Sequence, residues 1–186
     1  IEGAQMQRGA IGTFAAAVFM ESIAFLGGGR NEAPAVWVGS NSSTTKVSTR
    51  EIDQILAGYT ETQLTKAVLE VRIHAGHQLL YVHLGDQCLV YDGAASQAVQ
   101  EPGWFVLTTS LLGLGQYRAR NFVWCYDKWL CGDPTTSKHG YLVNEISSHY
   151  GEINGWDFGT AIIYNEGRGA VIRDLERVCL TGRIEF

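Results

Sequence analysis

Apolar and polar positions along the chain fall mostly into short runs of strand period, separated by glycine-marked turns. Residues 14–20 and 22–27 read as two strands joined near Met20-Glu21. Gly27-Gly28-Gly29-Arg30-Asn31 then turns into a third strand, Ala35 to Gly39. Gly39 to Ser43 turns again into Thr45-Lys46-Val47-Ser48. Strands of this length with turns at this spacing predict a four-stranded meander.

The period then changes. Ile52, Ile55, Leu56 and Tyr59 recur at helical spacing, behind a capping signature in Ser48-Thr49-Arg50-Glu51. Thr60-Glu61-Thr62-Gln63 repeats that signature, and Leu64, Ala67 and Val68 continue the stripe. Two short helices are predicted, Arg50 to Gly58 and Glu61 to Val68, with Ile52, Ile55, Leu56 and Leu64 buried. A helix-turn-helix reading fails on charge, since Glu51, Asp53 and Glu61 oppose only Arg50 and Lys66.

Strict alternation returns in Leu69-Glu70-Val71-Arg72-Ile73-His74-Ala75, which predicts a strand with one wet face. Gly76-His77 turns into Leu79 to Leu84, and Gly85-Asp86 suits a two-residue hairpin loop leading to Cys88 to Asp92. Gly93 to Gly103 reads as a loop of small and polar residues, before a strand at Trp104 to Leu107. A third meander is expected from Asn121 to Cys125, Trp129 to Cys131, Gly140 to Val143 and Thr160 to Tyr164. Ala170 to Arg173 and Val178 to Leu180 read as further strands.

The fold class expected is therefore all-β: a partial β-propeller of about three four-stranded meander blades, with the two helices between the first and second. Residues 1–164 would form the propeller-like domain, and 165–186 terminal strands or the start of another β domain. Roughly four to eight blades close a ring, so three would leave apolar blade faces open. The opening Ile-Glu-Gly, with no basic n-region or cleavage site, reads as a piece of a longer protein.

Composition narrows the chemistry. With 46% apolar and 11% aromatic residues the chain can build a core, which excludes intrinsic disorder. Fourteen basic against nineteen acidic side chains disfavour a phosphate-gripping surface, and hence sequence-specific nucleic-acid binding. The longest apolar tract, Thr13 to Leu26, is broken by Glu21 and Ser22, short of the ~18 residues of a membrane helix. Cys88, Cys125, Cys131 and Cys179 form no C-x-x-C pair and are expected to be reduced and mostly buried.

His74 and His77 make an H-x-x-H with His83 nearby, but across a strand end and a turn, where a surface hairpin explains them better than a metal. Asp86, Asp92, Asp127 and Asp133 stand at strand ends; they suggest paired carboxylates, or simply turn-forming aspartates. Gly27-Gly28-Gly29 lacks phosphate-loop spacing. Trp37, Trp104, Trp124 and Trp129 are expected in the core, with Trp156 less constrained. No catalytic, cofactor-binding or metal residue is assigned.

Several stretches together resemble one family. They are Arg8-Gly9-Ala10-Ile11-Gly12, Ser48-Thr49 leading into Glu51-Ile52-Asp53, Tyr59-Thr60, His83-Leu84 and Leu89-Val90-Tyr91-Asp92. Cys131-Gly132-Asp133, Gly140-Tyr141-Leu142 and Ile146 to Gly151 complete the set. Their order is similar to that of the packaged-DNA stabilisation proteins, or tail hub factors, of short-tailed bacteriophages. The resemblance implies a non-enzymatic structural virion protein with a propeller-like domain, whose remaining blades lie in a missing N-terminal part. Its implied partners are the phage portal protein, other tail components and further copies of itself. Its implied role is to bind below the portal after DNA packaging, extend the tail tube and retain the genome. The implied location is the virion tail, with assembly in the host cytoplasm. The chain departs from the family pattern at Gly155-Trp156-Asp157-Phe158 and in the tail after Gly167. The alternative is a propeller-fold binding module, or a glycan-active enzyme using the strand-end aspartates.

Overall fold

A computed structural model describes residues 6–155 except 147, together with 157 and 159. The first sheet contains β1 (Gly9–Ala10), β2 (Ala16–Phe19), β3 (Ser22–Gly28), β4 (Ala35–Ser40) and β5 (Ser43–Lys46). It runs β3-β4-β5, with β1 and β2 both paired to β3, and every pairing is antiparallel. Strand β1 lies outside the predicted meander. It fits because Gly27 has no side chain: a Cβ there would lie 2.0 Å from the Gly9 carbonyl oxygen.

Two helices follow, α1 (Arg50–Ala57) and α2 (Glu61–Leu64). Ile52, Leu56 and Leu64 are buried as their spacing predicts, while Ile55 is half-buried against the same core. The first capping signature is displaced by one residue. Thr49, not Ser48, is the N-cap, accepting from the Ile52 amide. The buried Ser48 hydroxyl instead donates to Asp53 at 2.7 Å and accepts the Val36 amide at 3.2 Å, fixing α1 to β4. The second capping box forms as read, between Thr60 and Gln63. Helix α2 stops at Leu64 rather than Val68, because Val68 enters the next sheet opposite His83.

The second sheet is β6 (Val68–His74), β7 (His77–His83), β8 (Cys88–Asp92) and β9 (Gly103–Leu107), in sequence order. Between its last two strands lies α3 (Gly93–Val99), which replaces the expected loop. Asp92 starts that helix by accepting the Ala95 amide at 2.9 Å. The third sheet is β10 (Arg120–Cys125), β11 (Lys128–Gly132) and β12 (His139–Leu142), followed by the hairpin β13 (Ser148–His149) and β14 (Glu152–Ile153). The strands expected at Thr160 to Tyr164, Ala170 to Arg173 and Val178 to Leu180 lie outside the described residues.

Strand β7 shows how the sheets stack. Its run Leu79-Leu80-Tyr81-Val82 is buried throughout, so both faces of the second sheet are covered. Leu80 and Val82 join Phe19, Leu26, Val36, Leu56 and Leu89 in one core. Leu79 and Tyr81 point the other way, to a second core with Cys88, Val90, Tyr117 and Cys131. The period-2 geometry of one strand thus joins the first sheet and helices on one side to the third sheet on the other.

Five of the hairpins turn through two residues that both have positive φ: Met20-Glu21, Asn41-Ser42, Ala75-Gly76, Tyr126-Asp127 and Tyr150-Gly151. Type I′ turns require this, and their twist matches that of the strands. A residue other than Gly, Asn or Asp resists that conformation by about 1–2 kcal/mol. Ala75 adopts a φ of 48° at the first position of such a turn, where Asn is preferred. Ala75→Asn should therefore stabilise the protein by about 1 kcal/mol and raise Tm by roughly 2–4 °C, read by thermal melting.

Candidate interaction surface

The residues singled out for catalysis or metal binding are drawn into separate structural duties. Asp133 is buried at the turn between β11 and β12. It accepts from Arg118 Nη2 at 2.6 Å, from the Thr135 amide and hydroxyl at 3.0 and 2.7 Å, and from the Thr136 hydroxyl at 2.6 Å. The Arg118 guanidinium, with these hydroxyl and amide donors, holds its carboxyl well below the usual carboxylate range. Arg118 reaches on to Glu152 at 2.8 Å and lies over the Tyr150 ring, which ties the β13–β14 hairpin to the third sheet.

Asp92 caps α3 and meets His77 Nδ1 at 2.6 Å. Asp86 accepts the Tyr59 hydroxyl, fixing the β7–β8 turn to the end of α1. Asp127 sits in the β10–β11 turn. His83 is buried beside the rings of Tyr81 and Tyr117, and its Nε2 lies 3.5 Å from Glu70. His74 and His77 stand opposite each other at the β6–β7 tip, whereas His83 is buried at the far end of β7. Among the described residues no group of three His, Cys, Asp or Glu side chains is placed to hold a metal. Cys88, Cys125 and Cys131 are free, and burial pushes the thiols of Cys88 and Cys131 up. Cys179 and Trp156 lie outside the described residues.

The tryptophans divide. Trp104 packs on Tyr91 and donates to the Val47 carbonyl at 2.8 Å, a core role. Trp37 donates to the Gly27 carbonyl and carries the Arg8 guanidinium 4.1 Å above its ring. Trp124 departs from the core expectation, with 56% of its surface exposed.

A bulge in β10 explains the departure. The register shifts between Arg120 and Val123, and Asn121 takes a φ of 58°. The Asn121 and Phe122 amides turn away from the ladder and donate to the Glu70 carboxylate. Burial alone would raise the Glu70 carboxyl, but the neighbouring His83 and those two amides together outweigh it and hold Glu70 below its ordinary value. Beyond the bulge, Trp124 pairs with Trp129 across the strands, their rings edge to face at 5.3 Å. Trp129 Nε1 donates to the Ile73 carbonyl at 3.0 Å, which brings the β10–β11 tip beside the β6–β7 tip.

The two tips enclose an apolar groove lined by Ile73, His74, Ala75, Trp124 and Trp129. Tyr126, in the β10–β11 turn, is 89% exposed on a backbone with a φ of 51°. The turn requires that conformation, but Gly, Asn or Asp would adopt it more readily, and the ring left in water adds no packing to the described sheets. Aromatic side chains gathered at an exposed edge are the composition of interface anchors. The sequence marks the turn at Tyr126-Asp127, but no spacing rule shows that a bulge would swing Trp124 outward.

The chain was compared with known proteins. A family model described as bacteriophage P22 Gp10, beta-propeller, matches residues 1–147. The chain belongs to the phage P22 Gp10 β-propeller family. A curated relative, the tail hub protein gp10 of Salmonella phage P22, is 32% identical over 145 residues. That alignment takes in 78% of this chain and 30% of the relative, so the chain spans under a third of the tail hub protein's length. The mostly-β fold and the phage tail family agree with the resemblance drawn from the short motifs. No helix among the described residues is long and apolar enough to cross a membrane.

Proposed function

We propose that this chain is part of a structural tail protein that joins below the portal after DNA packaging, extends the tail tube and helps retain the genome. The observation that carries this reading is the family match together with the exposed aromatic side chains of Trp124 and Tyr126 at the tip, beside the half-buried Trp129. The aromatic tip is the anchor toward a neighbouring protein of the tail or portal. Several copies assemble there, and the finished location is the virion. Assembly takes place in the host cytoplasm.

The sheets form successive blades of a propeller in this reading. The innermost strands β2, β6 and β10 lie beside one another, as blades around an axis require. The glycan-active alternative loses its carboxylates to Arg118, Thr135 and Thr136 at Asp133, and to helix α3 and His77 at Asp92. Catalysis is not part of the proposed role.

Replacing Trp124 and Tyr126 with Ala in the full-length protein should leave the far-UV circular dichroism unchanged. Together the two anchors should contribute at least about 2 kcal/mol, so tail incorporation should weaken by at least roughly thirtyfold. Quantitative immunoblotting of purified tails reads that loss. Unchanged incorporation would remove the aromatic tip from the interface.

A further inference from the structure

The β13–β14 hairpin lies against the second core. Each of its strands has two residues, with Ser148 paired to Ile153 and His149 to Glu152. A ladder that short is not stable alone, so contacts with the rest of the chain hold it down. The Tyr150 hydroxyl lies 3.6 Å from Cys131 Sγ, and the His149 ring meets the Tyr117 ring edge to face at 5.3 Å. Tyr117 and Cys131 both belong to that core. Arg118 adds its contacts to Glu152 and the Tyr150 ring, and the Gly155 amide donates to the Ser110 carbonyl at 3.0 Å. The family match ends at residue 147, so the hairpin lies beyond the matched stretch.

One further anchor depends on a proton. The buried Thr109 hydroxyl accepts the Arg118 amide at 3.0 Å and lies 3.1 Å from His149 Nδ1. Among the described residues, Nδ1 is the acceptor within reach of the hydroxyl's own proton. That nitrogen accepts only in the neutral imidazole that carries its hydrogen on Nε2. An imidazolium would turn an N–H toward the hydroxyl and strand the buried Thr109 proton without an acceptor. We propose that the β13–β14 hairpin is an acid-released strap, held shut over the joint between the second and third sheets by neutral His149. Burial and the facing Arg118 guanidinium hold this imidazole below its ordinary value. The other titratable groups around it are Tyr117, Cys131 and Asp133 from the body of the chain, with Tyr150 and Glu152 on the hairpin itself. Burial pushes Tyr117, Tyr150 and Cys131 up, and Arg118 holds Asp133 down, so these four keep one form through mild acid. The contribution of His149 is complete above the ordinary histidine value near pH 6.5, and it is lost as pH falls through the lower folded value.

Amide hydrogen exchange of the full-length protein tests it. Protection of the peptide spanning residues 148–155 is compared at about pH 7.5 and about pH 5, after correction for the intrinsic exchange rate. A peptide from β3 and β4 serves as the reference. Wild-type protection of the hairpin should fall about fivefold on acidification, with the reference unchanged. His149→Asn keeps an oxygen acceptor near the Nδ1 position and cannot be protonated, so its hairpin should hold equal protection at both pH values. Constant wild-type protection would overturn the proposal, and so would an equal fall in His149→Asn. Should that variant fail to dock its hairpin, NMR of wild type carrying 15N-labelled histidine decides. His149 should be the Nε2–H tautomer at neutral pH, and hairpin protection should fall in step with its protonation. The Nδ1–H tautomer, or a loss of protection at a different midpoint, would overturn the strap.

Discussion

Tyr81→Ala should cost about 3–5 kcal/mol, the largest loss expected from a single side chain in this chain. Tyr81 is fully buried and its ring contacts Tyr117, Phe122 and His83 at centroid distances of 6.3, 4.8 and 5.8 Å. Its hydroxyl also accepts from Arg72 Nε at 2.9 Å, so truncation removes that partner as well. Removing the ring opens a cavity at the joint between the second and third sheets, where neighbouring rings cannot collapse freely. Thermal melting should show a drop of roughly 10 °C or more. Amide exchange should rise first in β10 and β11, while β3 and β4 remain protected by the other core. A uniform loss of protection across all three sheets would show that the two cores do not act as separate units.

Asp133→Ala is the second large effect, at about 3–5 kcal/mol, because it leaves the largely buried Arg118 guanidinium without its main partner. The Thr135 and Thr136 hydroxyls lose their acceptor at the same time. Acid should act in the same direction on the wild type. The Asp133 carboxyl is held below its unfolded value, so its contribution is complete above the ordinary aspartate range near pH 3.9. As pH falls through the lower folded value, that contribution is lost. The gap in denaturant midpoint between wild type and Asp133→Ala should therefore be widest near neutral pH and narrow below about pH 4. A gap that stays constant into strong acid would assign the loss to packing rather than to the ion pair.

The extent to which the fold was legible in the sequence follows from how many interactions decide each element. Strand β7 declares itself, because a short unbroken apolar run bounded by turns has one stable use. Helix α1 and the Thr60–Gln63 box are equally local. Ser48 and Thr49 are two adjacent hydroxyls, and either can cap a helix. Asp53 and the Val36 amide decide between them by claiming Ser48. Helix α3 has no apolar stripe to announce it, as Gly93-Ala94-Ala95-Ser96-Gln97-Ala98-Val99 is small throughout. Its signal is the single capping carboxylate of Asp92, which reads equally well as a turn residue.

The aromatic tip was hidden for a different reason. Trp124 follows Val123 in what reads as an ordinary buried run. Its exposure depends on the bulge at Asn121, and the bulge depends on Glu70, some fifty residues earlier in the chain. A signal that distant is set by tertiary structure. The candidate carboxylates failed as a site in the same way. Their strand-end positions were legible, but their partners Arg118, His77 and Tyr59 come from other parts of the chain.

The central claim, that the protein is a structural closure of the packaged head, is tested most directly by the DNA content of particles made without it. Virions of the parent phage assembled under a nonsense mutation in this gene should package DNA and then lose it. Adding the purified full-length protein to freshly packaged heads should keep the DNA inside, as read by quantitative nuclease protection. Particles that lack the protein and still retain protected genomes as long as wild type would contradict the account.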